Sequence, residues 1–238
     1  MKNNMEKMDS HKMSSERKTA RNAGIFFLIL AIGTGYSWSY FNSIFVPGDA
    51  IATVNNIQAS GHMFRYAIML DLMGEISFIF LIYYLYELFK SVNKEWARIM
   101  ALLVVISIPI ALLNLVNLFA PLLLLDGGYV SAFGTTNLNA LIMLFCDLYE
   151  FGVNIATVFW GLWLLPLAYL TYKSGFVPKF ISVFLTIAGL GYVVGSLLKF
   201  MSFDLGFDLS SYTFIGEVMM IIWLLIAGFK KNGGQQPV

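Results

Sequence analysis

Six stretches of this chain, at about 23–45, 63–89, 97–125, 138–172, 180–201 and 209–229, stay apolar for longer than 20 residues. About 20 residues of α-helix cross the hydrocarbon core of a bilayer. Backbone polar groups inside that core must be satisfied within the helix itself. The pattern predicts an all-α polytopic membrane protein, a bundle of six transmembrane helices. Composition agrees: 58% of the residues are hydrophobic and 12% charged, where a soluble domain has about half and about a quarter. Mean hydropathy is +0.74. The fourth run exceeds what a span needs, so part of it is expected to tilt or protrude. Pro109 and Pro166 predict kinks in the third and fourth helices. Short polar or Gly-rich breaks separate the runs, among them "PGDA", "SVNKEW" and "KSGFVPK".

Basic residues orient the bundle. Of the 15 Lys and Arg, 13 fall in the N-terminal segment, the even-side loops and the C-terminal segment. The opposite loops hold none and carry Asp49, Asp126, Asp204 and Asp208. Both termini are therefore expected to be cytoplasmic. The first run has a basic flank but is long and shows no small-residue cleavage pattern, so it reads as an uncleaved span. The expected organisation is a flexible cytoplasmic N-terminal tail over 1–20, a single six-helix domain over 21–230 and a cytoplasmic tail over 231–238.

With that orientation, the polar residues of the spans collect in their outer halves. Asp71 and Glu75 are four apart and share a helix face. Asp147, Glu150 and Asn154 follow at i, i+3 and i+7. Glu217, Asn114, Asn117, Lys199 and the outer-mouth Arg65 complete the set. Lipid satisfies none of these groups, so they must face one another or water. The expectation is an acidic chamber open to the outside above an apolar plug. Its five carboxylates exceed its two cations, Arg65 and Lys199, so protons or a cationic ligand must make up the difference. One of those cations is expected to pair with a chamber carboxylate. Tyr36, Trp38 and Tyr40 are expected to add aromatic lining. Gly33, Gly35, Gly189, Gly191 and Gly195 are read as close-packing positions. In the first outer loop, Asp49 is expected to cap a short helix that turns Ile51, Val54 and Ile57 to one side.

Several chemistries find no support. No basic stripe interleaved with aromatics points to nucleic acid. Two histidines are too few for a histidine-based zinc site. The single cysteine, Cys146, forms no internal disulfide and reads as a small buried hydrophobe. No Ser–His pair or HExxH motif is present. No catalytic residue, metal or cofactor is assigned.

Two stretches with their spacing resemble a known family: "VPGDAIATVNNIQASGHMFRYAIMLDL" and "YEFGVNIATVFWGLWLLPLAYLTYKSGFVPKFISVFLTIAGLGYVVGS". They are similar to the bacterial membrane family named domain of unknown function 4386. The resemblance extends from about Arg17 to the last span. It implies a multi-pass protein of the bacterial plasma membrane whose activity is not established. It marks Pro47, Asp49, Arg65, Asp71, Gly152, Gly161, Ser174, Gly175 and Pro178 as family positions.

Three functions fit this sequence. One is a receptor or transporter whose chamber takes a small cationic or amphiphilic ligand, or an outer-leaflet lipid. It would use Asp71, Glu75, Asp147, Glu150, Glu217, Arg65, Lys199, Asn114 and Asn117. The second is a structural or accessory membrane protein without ligand. The third is an intramembrane enzyme in which paired carboxylates act on lipid. The bilayer is the one partner common to all three, and oligomeric state stays open.

Overall fold

A computed structural model describes residues 2–203, 206–207 and 209–229, with backbone only at 2–14, 210 and 229. Asp204, Asp208, Lys230, Lys231 and the tail at 231–238 lie outside the described residues. All described regular structure is α-helix: α1 (Lys2–Ile44), α2 (Ala50–Ala59), α3 (Met63–Phe89), α4 (Lys94–Asn114), α5 (Val116–Asp126), α6 (Val130–Ser174), α7 (Lys179–Phe200), α8 (Ser210–Thr213) and α9 (Ile215–Phe229). Among the described residues, five stretches are long and apolar enough to cross a membrane: Ser15–Ile44, Met63–Phe89, Lys94–Asp126, Val130–Ser174 and Lys179–Phe200. The sixth apolar run is broken. Its helix α9 has 15 residues, and α8 is a separate turn before it.

Local chemistry sets the helix ends. Asn93 caps α4 through its side chain, which accepts from the Trp96 amide. At the end of α6, Gly175 takes the left-handed conformation at φ 71° that lets the chain leave the helix. Gly134, with φ 71° and ψ 156°, interrupts α6 near its start, so a short helix precedes it and the whole fourth apolar run lies in the longer helix that follows. Pro109 and Pro166 lie inside α4 and α6, which continue through them. The third run is interrupted instead at Leu115, between α4 and α5.

The main helices close a ring in chain order. α1 packs on α3, α3 on α4, α4 on α6, α6 on α7, α7 on α9, and α9 back on α1. Two apolar clusters hold the ring. One fills the half that holds the α3–α4 and α6–α7 turns, around Phe27, Phe89, Trp163 and Leu224. The other fills the end where α1 stops, around Phe41, Phe64, Leu118 and Ile142. The outward surface is strongly apolar, with Ile32, Leu102, Leu123 and Ile226 each more than half exposed, as suits residues facing lipid.

Close backbone contacts tighten three seams. A Cβ on Gly33 would lie 2.6 Å from the Leu70 carbonyl of α3, and one on Gly161 would lie 2.6 Å from the Gly189 carbonyl of α7. A Cβ on Gly191 would meet the Thr213 side chain of α8. Gly35 differs from its expected packing role: a Cβ there would meet nothing within 4 Å. Helix α2 is capped by Asp49, whose carboxylate accepts from the Ala52 amide. Its buried face is Thr53, Val54 and Ile57, and Ile51 points outward. Thr53 replaces Ile51 because its hydroxyl is needed inside, where it accepts from the Val46 amide at 2.9 Å.

Candidate functional site

The α1–α3 seam aims the acidic pair. Gly33 and Gly74 bring these backbones together, and the buried Ser37 hydroxyl lies 2.7 Å from the Ala67 carbonyl across the seam. Asp71 and Glu75, on the same face of α3, then point into the ring. There a cavity of about 560 Å³ takes its walls from α1, α3, α4, α6, α7 and α9. Asp71, Glu75 and Glu217 line it, as does Asn114, and no Lys, Arg or His does among its described lining residues. Its aromatic walls include Trp38, Phe78, Trp160 and Trp163.

Two tyrosines hold two of the acids. Tyr149 donates its hydroxyl to Asp71 at 3.2 Å, and Tyr192 donates to Glu217. Tyr149 is itself fixed: Phe41 meets it edge-to-face at 5.5 Å, and its carbonyl accepts from Asn114 Nδ2 at 2.8 Å. The break before α9 places Glu217 in that helix's first turn, where the helix dipole favours an anion. Glu75 is 2% exposed, and its Oε2 has no hydrogen-bond partner among the described residues. Trp160 Nε1 is likewise buried without an acceptor among them.

A second cavity of about 460 Å³ lies toward the end where α1 and α7 terminate. Glu150, Asn154, Ser196 and Lys199 line it. Trp38, Tyr149, Val153, Thr157 and Tyr192 border both cavities and so form the partition between them.

The structure therefore divides the polar set expected from sequence. Asp71, Glu75, Glu217 and Asn114 meet in the inner cavity, and Glu150 and Lys199 in the outer one. Asp147 is half-buried and lines neither cavity; it lies about two turns before Asn154 on nearly the same side of α6, toward the start of that helix. Asn117 donates to Asn114 at 3.0 Å and lines neither cavity. Arg65 departs furthest from expectation. It bonds Asp126 at 2.9 Å, with both side chains largely exposed, and neutralises no chamber acid. The first turn of α3 lies beside the α5–α6 loop, outside the ring's interior.

Of the aromatic residues expected in the lining, Trp38 borders both cavities, and Tyr36 and Tyr40 border neither. Sequence reasoning missed Tyr149, Tyr192 and Trp160. A signal for two of them was present: Tyr149, Val153, Ala156, Trp160 and Trp163 recur at alternating four- and three-residue steps and all line the inner cavity. No group of three or more His, Cys, Asp or Glu among the described residues could hold a metal ion.

A protein of Archaeoglobus fulgidus described as uncharacterized is 36% identical over 80 residues. That alignment covers 34% of this chain and 48% of that protein, so the chain spans about half the length of the curated relative it matches. No solved structure matches the chain. The family model for domain of unknown function DUF4386 matches residues 22–228, which covers part or all of every helix of the ring and every described lining residue of both cavities. The chain belongs to the DUF4386 family.

Proposed function

We propose that this protein binds a small organic cation in the inner cavity and presents it to, or takes it from, the outer side of a cell membrane. The observation that carries this reading is the lining of that cavity: three carboxylates, a wall of aromatic rings and no cationic side chain among its described residues. A volume of about 560 Å³ falls in the range of small-molecule sites, roughly 300–1,000 Å³. Aromatic faces and carboxylates together attract a desolvated cation.

This reading uses six crossings with both termini cytoplasmic, as the basic bias indicates. At 1.5 Å per residue, the 15-residue α9 covers only roughly 22 Å of a core about 30 Å thick. Its place in the closed ring supports its use as the sixth stave, with α8 completing the crossing. The plasma membrane is the location this reading assigns, and passage of the ligand across the membrane would need movement of the apolar seal below Phe27 and Trp163.

The test is calorimetric titration of the purified protein in lipid nanodiscs with 3-phenylpropylamine and with its neutral isostere 3-phenyl-1-propanol. The amine should bind at least about tenfold more tightly, and Asp71→Asn and Glu217→Gln should each reduce that preference. Equal binding of amine and alcohol would remove the cation reading.

A further inference from the structure

The three inner-cavity acids are not equivalent. Asp71 and Glu217 each accept a hydroxyl hydrogen bond from a tyrosine of the partition. Glu75 Oε2 has no donor among the described residues, although the residue is 2% exposed and lines the cavity. The opposite vacancy lies in the same lining: the Trp160 indole N–H is buried without an acceptor among the described residues. A buried acceptor and a buried donor left unmade both weigh against the folded state. Both atoms are covered as they stand, so a ligand that supplies the complementary group relieves each once its side chain turns toward the cavity.

We infer that the ligand is a protonated amine carrying a hydrogen-bond acceptor, with its N–H donated to Glu75 and its acceptor facing the Trp160 indole. This rests on the cation reading and narrows it. A fully alkylated ammonium carries the same charge and meets the same aromatic walls, but it has no N–H to give. A carboxylate that accepts a charged N–H distinguishes the two, since hydrogen bonds to charged groups are among the strongest in proteins. Asp71 and Glu217 each already accept one bond, from Tyr149 and Tyr192, whereas Glu75 has a buried oxygen with no donor among the described residues. Glu75 is therefore the anchoring acid, and Trp160 selects among amines.

Three ligands built on one skeleton separate these roles: 3-phenylpropylamine, its N,N,N-trimethyl derivative, which keeps the charge and adds three methyl groups, and 2-phenoxyethylamine, in which an ether oxygen replaces one methylene. Titration of the unaltered protein in nanodiscs should show the amine binding at least about tenfold more tightly than the trimethyl compound. The ether amine should bind more tightly than 3-phenylpropylamine. Glu75→Gln should bring the amine and trimethyl compound to within about twofold, and Trp160→Phe should erase the advantage of the ether. If the trimethyl compound matches the amine in the unaltered protein, while both exceed the neutral alcohol, the cation reading stands and the amine inference is overturned. An amine preference that survives Glu75→Gln overturns the assignment of Glu75. If neither cation exceeds the alcohol, the cation reading itself fails. The comparison in the unaltered protein decides the main point even where a variant does not fold.

Discussion

Replacing Gly161 by alanine should loosen the α6–α7 seam and with it the partition between the two cavities. A Cβ at 161 would sit 2.6 Å from the Gly189 carbonyl, 2.8 Å from Val193 Cγ2 and 2.9 Å from Tyr192 Cβ. Ordinary contact begins at 3.4 Å, so the carbonyl is about 0.8 Å too near. A backbone carbonyl cannot rotate away as a flexible side chain can, and the reverse contact, from Gly189 to the Gly161 carbonyl, is nearly as short at 2.8 Å. The helices must separate, at a cost of about 1–3 kcal/mol for overpacking. Alanine returns roughly 0.5–1 kcal/mol in helix propensity. Because the overlap is with backbone, the cost lies in the upper part of that range, about 2–3 kcal/mol, and the resulting net loss of about 1–2.5 kcal/mol lowers the melting temperature by roughly 2–10 °C in a chain of this size. Gly35→Ala is the internal control. It makes the same chemical change where a Cβ meets nothing within 4 Å, so only the propensity gain remains and the melting temperature should hold or rise. Intrinsic fluorescence melting of both variants in one detergent measures the contrast. A Gly161→Ala protein that melts with or above the parent would refute the backbone-contact argument.

Gly152→Ala should act through a different neighbour, because its Cβ would fall 2.0 Å from Asn114 Oδ1. The displaced Asn114 would lose its bond to the Tyr149 carbonyl, so thermal stability should fall by about 1–3 kcal/mol. Adding Asn114→Ala should relieve the clash without restoring that bond, so the double variant should recover part of the loss, and a melting experiment in which it is no better than Gly152→Ala alone would contradict the clash. For the topology, a single cysteine at 126 in a Cys146→Ala background should react with a membrane-impermeant thiol reagent on intact cells. Reaction only after lysis would reverse the orientation. The Arg65–Asp126 pair lost in that variant is largely exposed, and such pairs contribute about 0–1 kcal/mol, so the protein should still fold.

The helices and the membrane class were legible along the chain because both depend on local properties. A run such as 97–125 is apolar whatever it packs against, and Asn93 and Asp49 cap the helices that follow them through hydrogen bonds three residues away. The four-residue spacing of Asp71 and Glu75 was enough to put both on one face, and both line the inner cavity. Rotation of each helix about its own axis was not legible, because every other helix in the ring decides it. Arg65 looks like a chamber cation by depth alone, yet its position in the first turn of α3 turns it to Asp126 on the loop side. Asp147 and Glu150 are three residues apart on α6, but only Glu150 reaches a cavity. Gly33 and Gly35 look alike in sequence, and only the contact with Leu70 separates a close-packing glycine from an idle one. The two tyrosine–carboxylate bonds join residues 78 and 25 positions apart. They form because ring closure brings α3 to α6 and α7 to α9. The same closure leaves Glu75 and Trp160 facing one cavity with a free acceptor and a free donor among the described residues, a pairing that no local pattern in the chain encodes.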